Sequence, residues 1–229
     1  MSSIAIITAR GGSKRIPRKN IKEFCGKPII AYSIEAALNS GAFDEVMVST
    51  DDDEIAEIAK KFGAKVPFMR SAETSNDFAT TRDVLEEVLS EYESHGKKYD
   101  YVCCIYPTAP LVTSDRLKEG LEMLIENQAD EVEPVVKFSY PPQRGWKIND
   151  NNGLEYCYPE YQNSRSQDLE PIYHDAGQFY WYNYKTYFVE KKQNCFICPL
   201  VLSELEVQDI DDLSDWKIAE LKYMMNTNK

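Results

Sequence analysis

The segment Ala9-Arg10-Gly11-Gly12-Ser13-Lys14-Arg15-Ile16-Pro17-Arg18-Lys19-Asn20 sets five cations around two adjacent glycines, in a chain whose formal net charge is -12. Such a local inversion of charge is either a solvated basic loop or an anion site. Gly11 and Gly12 speak for the second. A backbone without Cβ atoms lets a phosphate approach, and exposed N–H groups in such a turn form an anion nest. Arg10, Lys14 and Lys19 then supply the charge. The spacing is neither the GxxxxGK[ST] of a Walker loop nor GxGxxG, so the loop alone specifies an anion and no particular nucleotide.

A second group lies near the other end, Gln208-Asp209-Ile210-Asp211-Asp212. On an extended segment Asp209 and Asp211 project to one side and can share a hard cation such as Mg²⁺, which takes carboxylate oxygens together with substrate phosphates. The alternative is an acidic helix start, in which Asp211, Asp212 and Asp215 favour the helix dipole without any metal. A nucleoside triphosphate needs both groups: cations for its phosphates, and a metal to neutralise charge as the α-phosphorus is attacked. Asp51-Asp52-Asp53 is equally acidic, and helix capping is its better explanation.

The elements that must position these groups alternate. Residues 3 to 9 are a nearly continuous apolar run ending in glycines, the pattern of a buried parallel strand. After the loop, Pro28 suits a first helical position, and Ile29, Ile30, Ser33, Ile34, Ala37 and Leu38 recur at helical spacing until Gly41. A strand at 45 to 50, a helix at 52 to 62 and a short strand at 65 to 69 follow. Then come a helix at 80 to 94, a strand at 101 to 106, a helix capped by Thr113 or Ser114 with Leu117, Leu121, Leu124 and Ile125 inward, and a strand at 132 to 138. This order predicts an α/β chain, doubly wound around a mostly parallel sheet. The loop leaves the C-terminal edge of the first strand, where open α/β sheets bind ligands. From residue 140 the alternation breaks at Pro141-Pro142, and residues 146 to 158 read as a hairpin around Asn149-Asp-Asn-Asn-Gly153. Strand character returns at 178 to 182 and 195 to 202, and residues 213 to 225 form a closing helix.

At 229 residues a single domain is expected, 1–229, with an inserted element at about 140–175. The acidic balance excludes a nucleic-acid backbone as partner, since phosphate binding needs a cationic surface. No apolar run approaches the roughly 20 residues a membrane helix requires, and the N-terminus leads into a strand without a charged leader, so a cytoplasmic protein is expected. Cys25, Cys103, Cys104, Cys157, Cys195 and Cys198 lack disulfide or zinc spacing. The lone Cys195-Phe-Ile-Cys198 reads as part of a buried strand, and Cys103 and Cys104 should face opposite sides of theirs. His95 and His174 are too far apart to suggest a metal pair.

The loop ARGGSKRIPRKNIK, VSTDD after the second strand, YPTAP and the late DIDD together resemble the CMP-sialic acid synthetase (acylneuraminate cytidylyltransferase) family over nearly the whole chain. The resemblance implies a Rossmann-like nucleotidyltransferase sheet with an inserted β-hairpin dimerisation element, a homodimer, and transfer of CMP from CTP to a nine-carbon acidic sugar with Mg²⁺ as cofactor. It places nucleotide binding on Ala9, Arg10, Gly11, Gly12, Ser13, Lys14, Lys19, Asn20, Arg70 and Asp77, catalysis on Lys14, Lys19, Asp209 and Asp211, and the metal on Asp209 and Asp211. Substrate binding is implied for Tyr106, Arg165, His174, Gln178 and Phe179, with Arg165 meeting the sugar carboxylate. The stretch DAGQFYW, YPTAP and the SKRIPRKN form of the loop look more like the pseudaminic acid branch than the N-acetylneuraminate branch. Tyr106 stands where sialate enzymes usually have glutamine, and Val112 where they have arginine. The competing substrates are N-acetylneuraminate, legionaminate and 3-deoxy-manno-octulosonate. From other classes, a silent nucleotide-binding protein would have no use for lysines and carboxylates together. A metal-dependent phosphatase using Asp209 or Asp211 would want its nucleophile at the first strand's end, where Arg10 and the glycines stand.

Overall fold

Strand β1 (Ser3–Thr8) is buried almost throughout, as a strand with neighbours on both edges must be. In the computed structural model, which describes residues 1–227, the chain leaves β1 through the glycine loop and forms a minimal antiparallel pair, β2 (Glu23–Phe24) and β3 (Lys27–Pro28). It then runs through α1 (Ile30–Ser40), β4 (Glu45–Ser49), α2 (Asp53–Lys61), the single turn α3 (Ala72–Ser75), α4 (Thr81–Ser94), β5 (Tyr101–Ile105), α5 (Ser114–Glu126) and β6 (Glu131–Lys137). The excursion carries the hairpin β7 (Trp146–Ile148) and β8 (Leu154–Tyr156), and the chain returns through β9 (Tyr173–Asp175), β10 (Phe179–Asn183), β11 (Ile197–Leu202) and α6 (Leu213–Thr227).

The sheet runs in the order β11-β6-β10-β5-β1-β4, with β9 added beside β6. β4, β1 and β5 are parallel neighbours, β11 is parallel to β6, and β10 and β9 run against them. The mostly parallel expectation therefore holds. One face packs against α1, α2 and α5 through residues such as Ile34, Ile55 and Leu117, and the other packs against α4 through Leu85, Val88 and Tyr92. Cys103 and Cys104 fall in these two different clusters, one on each face. A third cluster joins Ile16 of the glycine loop to Ile210 and to Trp216 and Ala219 of α6.

Three local expectations change. The strand expected at 65 to 69 is a single parallel bridge, Met47 to Lys65; Pro67 lacks the N–H that would extend it. Pro28 lies in β3, two residues before the helix it was expected to open. Residues 195 to 202 are not a buried strand. β11 lies at the sheet edge, so Cys198, Leu200 and Leu202 are buried while Ile197, Pro199 and Val201 face out. Cys195 precedes the strand, half-buried.

Candidate active site

The loop is built so that its cations point outward. Ala9 N–H extends the β1 ladder to the Ser49 carbonyl (2.9 Å), after which the chain leaves the sheet. Gly11 N–H donates to Asp51 Oδ1 (2.8 Å). A Cβ on Gly11 would stand 2.8 Å from Asp52 Oδ2, so a side chain here would displace the carboxylate that holds Arg18. This corrects the expectation of a two-glycine nest: the Gly11 amide is already occupied, and only Gly12 has open space around it. Asp52 caps α2 by accepting from Ile55 N–H (3.0 Å), as expected of that triplet. It also grips Arg18, which sits in the left-handed region at φ 56°. The Arg18 guanidinium holds the Asp52 carboxyl below its ordinary range. The buried Asn20 closes the loop by donating to the Arg10 carbonyl (2.8 Å).

Arg10 and Lys14 converge on one carboxylate, Asp77, Arg10 at 2.7 Å and Lys14 on the other oxygen. The two cations, Lys14 first, pull the Asp77 carboxyl down. Asp77 thus occupies the place that an anionic oxygen of a ligand would take between the same two side chains. Arg10, Ser13, Lys14, Lys19 and Asn20 open on a cleft of ≈ 400 Å³ whose far wall is Tyr106. Tyr106 is fixed at both ends of its backbone: its N–H donates to Gln178 O (2.8 Å), and Ser33 Oγ donates to its carbonyl (2.8 Å).

Lys19 crosses from this cleft to the acidic segment and donates to the carbonyl of Ile210 (2.8 Å), between Asp209 and Asp211. Burial lowers the lysine's pKa while Asp211 and Asp209 act against that shift. Helix capping is done by other residues. Asp215 Oδ2 accepts from the N–H groups of Asp211 and Asp212 (3.0 Å each), and Asp212 Oδ1 accepts from Ser214 (2.6 Å) and Asp215 (3.1 Å). Asp209 and Asp211 are left to face a second cleft of ≈ 350 Å³, with His174 on its wall. Burial, and then Asp211, push the Asp209 carboxyl up. Arg15, which sequence reasoning left out of the site, reaches Asp211 Oδ1 at 2.6 Å.

Among the described residues no three His, Cys, Asp or Glu side chains form a metal cage. The pair offers two carboxylates close enough for one to perturb the other, Asp209 exposed and Asp211 partly buried, beside the cationic loop. That donor set fits a hard ion that keeps some waters and takes phosphate oxygens.

Other expected residues go elsewhere. Arg70 is buried and spends Nε and Nη2 on Ser49 (3.0 and 2.6 Å), fixing the end of β4 instead of reaching the cleft. Gln178 is buried, its amide donating to the Glu206 carbonyl. Phe179 is wholly buried and packs towards Gly120 of α5, and Trp181 stacks on Phe43 at 4.9 Å. Both belong to a central strand whose two faces are covered, so Phe179, expected to bind substrate, is a core residue. Val112 is nearly buried and borders a different cleft, beside Pro110 and Leu111. Arg165 is exposed on the excursion, paired with Asp168 at 2.8 Å, and lines neither cleft.

Residues 4–211 match the family model described as cytidylyltransferase, a span from β1 to the acidic pair. The chain belongs to the cytidylyltransferase family. It is an enzyme of the nucleotidyltransferase type, and both groups of site residues lie within the matched span. It is 45% identical to the pseudaminic acid cytidylyltransferase of Campylobacter jejuni, over 99% of this chain and 98% of that protein. It is 32% identical to the CMP-N,N'-diacetyllegionaminic acid synthase of Legionella pneumophila, over the same shares of each. A solved structure of CMP:2-keto-3-deoxy-manno-octonic acid synthetase complexed with CTP has the same fold, with a TM-score of 0.70 at 19% identity over the full length of both chains.

Proposed function

We propose that this cytidylyltransferase transfers CMP from CTP to the anomeric hydroxyl of a nonulosonic acid, pseudaminic acid before its relatives, and releases pyrophosphate. The observation that carries the nucleotide half is the Lys19 to Ile210 bond, which sets the cationic loop beside the acidic pair. Full-length similarity to proteins named pseudaminic acid cytidylyltransferase supports the sugar.

In this reading Arg10 and Lys14 exchange Asp77 for phosphate oxygens of CTP, while Gly12, Ser13 and Lys19 border the same anion. Asp209 and Asp211 would hold Mg²⁺, whose charge, when it is bound, offsets that of the triphosphate as the sugar oxygen bonds to the α-phosphorus and the bond to the β-phosphate oxygen breaks. Tyr106 and His174 border the two clefts on the side left for the sugar.

Arg165 lines neither of these two clefts, so we assign its role on the sugar carboxylate to the site of a second subunit. The hairpin β7–β8 supports a homodimer: a lone two-stranded hairpin is marginal in water, and this one exposes Trp146, Ile148 and Leu154. Among the described residues no helix is long and apolar enough to cross a membrane, and we place the enzyme in the cytoplasm with its nucleotide. The test is pyrophosphate release from CTP and Mg²⁺ with a panel of nonulosonic acids. Release with none of them sinks the reading.

A further inference from the structure

Arg15 is a cation that the reading above does not use. It stands on the irregular turn between Ser13 and Pro17 and borders the same cleft as Arg10, Lys14 and Lys19. Its guanidinium nevertheless points across to the acidic pair, Nη2 lying 2.6 Å from Asp211 Oδ1. Its remaining nitrogens meet no protein acceptor among the described residues, and its side chain is 67% exposed. The Asp209 carboxylate receives no side-chain donor among the described residues, Gln208 Nε2 donating to its backbone carbonyl instead (3.1 Å), while Lys19 is held by the carbonyl between the two carboxylates.

Two consequences follow from this placement. A carboxylate oxygen engaged by a guanidinium is withdrawn from a metal, so Arg15 and a divalent ion compete for Asp211. The contact is also easily given up, because an ion pair this exposed is screened by water and holds weakly. A triphosphate arriving between Arg10, Lys14 and Lys19 offers the guanidinium fork a more highly charged partner that it can meet through two nitrogens.

We propose that Arg15 is a placeholder cation: it occupies Asp211 in the nucleotide-free enzyme and passes to the phosphates of bound CTP, so that divalent-ion binding at Asp209 and Asp211 awaits the nucleotide. This rests on the reading of those two aspartates as the metal pair. The mechanism is a linkage. Whatever free energy holds Arg15 on Asp211 is subtracted from metal binding in the free enzyme, and CTP removes that subtraction. Arg15 thereby sets the order of assembly without taking part in bond making.

The experiment uses Mn²⁺ as the probe, its free concentration read by electron paramagnetic resonance. It compares the full-length wild-type protein, Arg15→Gln and Arg15→Lys, each with and without CTP and without acid sugar, against CTP alone as the solution control. Arg15→Gln is expected to bind Mn²⁺ in the absence of CTP about two- to fivefold tighter than wild type, and to show a correspondingly smaller gain when CTP is added. Arg15→Lys, which keeps the charge, is expected to stay nearer wild type. If Arg15→Gln binds Mn²⁺ alone no tighter than wild type while CTP still promotes binding in both, the placeholder is wrong and the metal pair stands. If Mn²⁺ binding is absent throughout, or unchanged in Asp209→Asn, the metal reading fails and the placeholder with it.

Discussion

Lys19 Nζ donates a 2.8 Å hydrogen bond to the carbonyl of Ile210, a residue 191 positions later. The bond fastens the anion loop to the midpoint of the Asp209–Asp211 pair, and behind it Ile16 and Ile210 pack in one apolar cluster with Trp216. A polar tie over an apolar base fixes the distance between the two halves of the site.

Lys14→Ala and Arg10→Ala should each lower kcat/KM for CTP about a hundredfold, the effect of removing one charged donor from a transition-state anion site. Their side chains are exposed, so melting temperatures should hold. Near-normal turnover at limiting CTP in both variants would remove the loop from the site.

Asp209→Asn and Asp211→Asn should each abolish Mg²⁺-dependent turnover, since either removes one of the two hard ligands. Asp212→Ala, which removes a helix cap, should cost about 1 kcal/mol of stability and leave metal dependence intact. Turnover titrated against Mg²⁺ separates the two classes. Full activity in chelator contradicts the assignment.

Glu131 should destabilise the fold at alkaline pH. It is buried in β6 beside Glu133 and Asp175, and burial first, then those carboxylates, raise its pKa from 4.5 to about 7. The folded state therefore holds the proton more tightly than the unfolded one. Its contribution is fully present below pH 4.5 and lost as the pH rises through 7. Glu131→Gln should raise the melting temperature by about 2–4 °C at pH 8, the shift that ~1 kcal/mol gives a domain of this size, and change little at pH 4. Equal effects at both pH values would count against it.

Phe179→Leu should cost about 1 kcal/mol of stability, as core reshaping does, and leave the choice between two acid sugars within about twofold. Thermal melts and paired kcat/KM values measure both. A changed sugar preference with unchanged stability would return Phe179 to the pocket wall.

Pseudaminic acid should be preferred over N-acetylneuraminic acid by at least about tenfold in kcat/KM, roughly 1.4 kcal/mol of transition-state binding. The structure leaves Tyr106 as the wall residue that distinguishes the cleft from one with glutamine there. CMP-sugar formation with both acids under the same CTP and Mg²⁺ decides it, and equal rates would refute the preference.

The strand and helix order, the position of the loop at the end of β1 and the presence of an acidic pair were legible in the sequence, because each is a local matter of periodicity, glycine and charge. Family motifs then specified the nucleotide. Which of several like residues faces the site is not local. Asp209 and Asp211 separate from Asp212 and Asp215 because α6 begins at Leu213 and its start engages the latter two, Asp212 on the amides of Ser214 and Asp215, and Asp215 on those of Asp211 and Asp212. Phe179, Gln178 and Arg70 carry site-like chemistry in the chain. They turn inward because β10 lies between β5 and β6 under α5, and because the end of β4 offers Ser49 as a buried acceptor. Gly11 reads as a phosphate glycine until Asp52 is found against it. Tertiary packing decided these cases, since a side chain's direction depends on which surfaces its strand must bury.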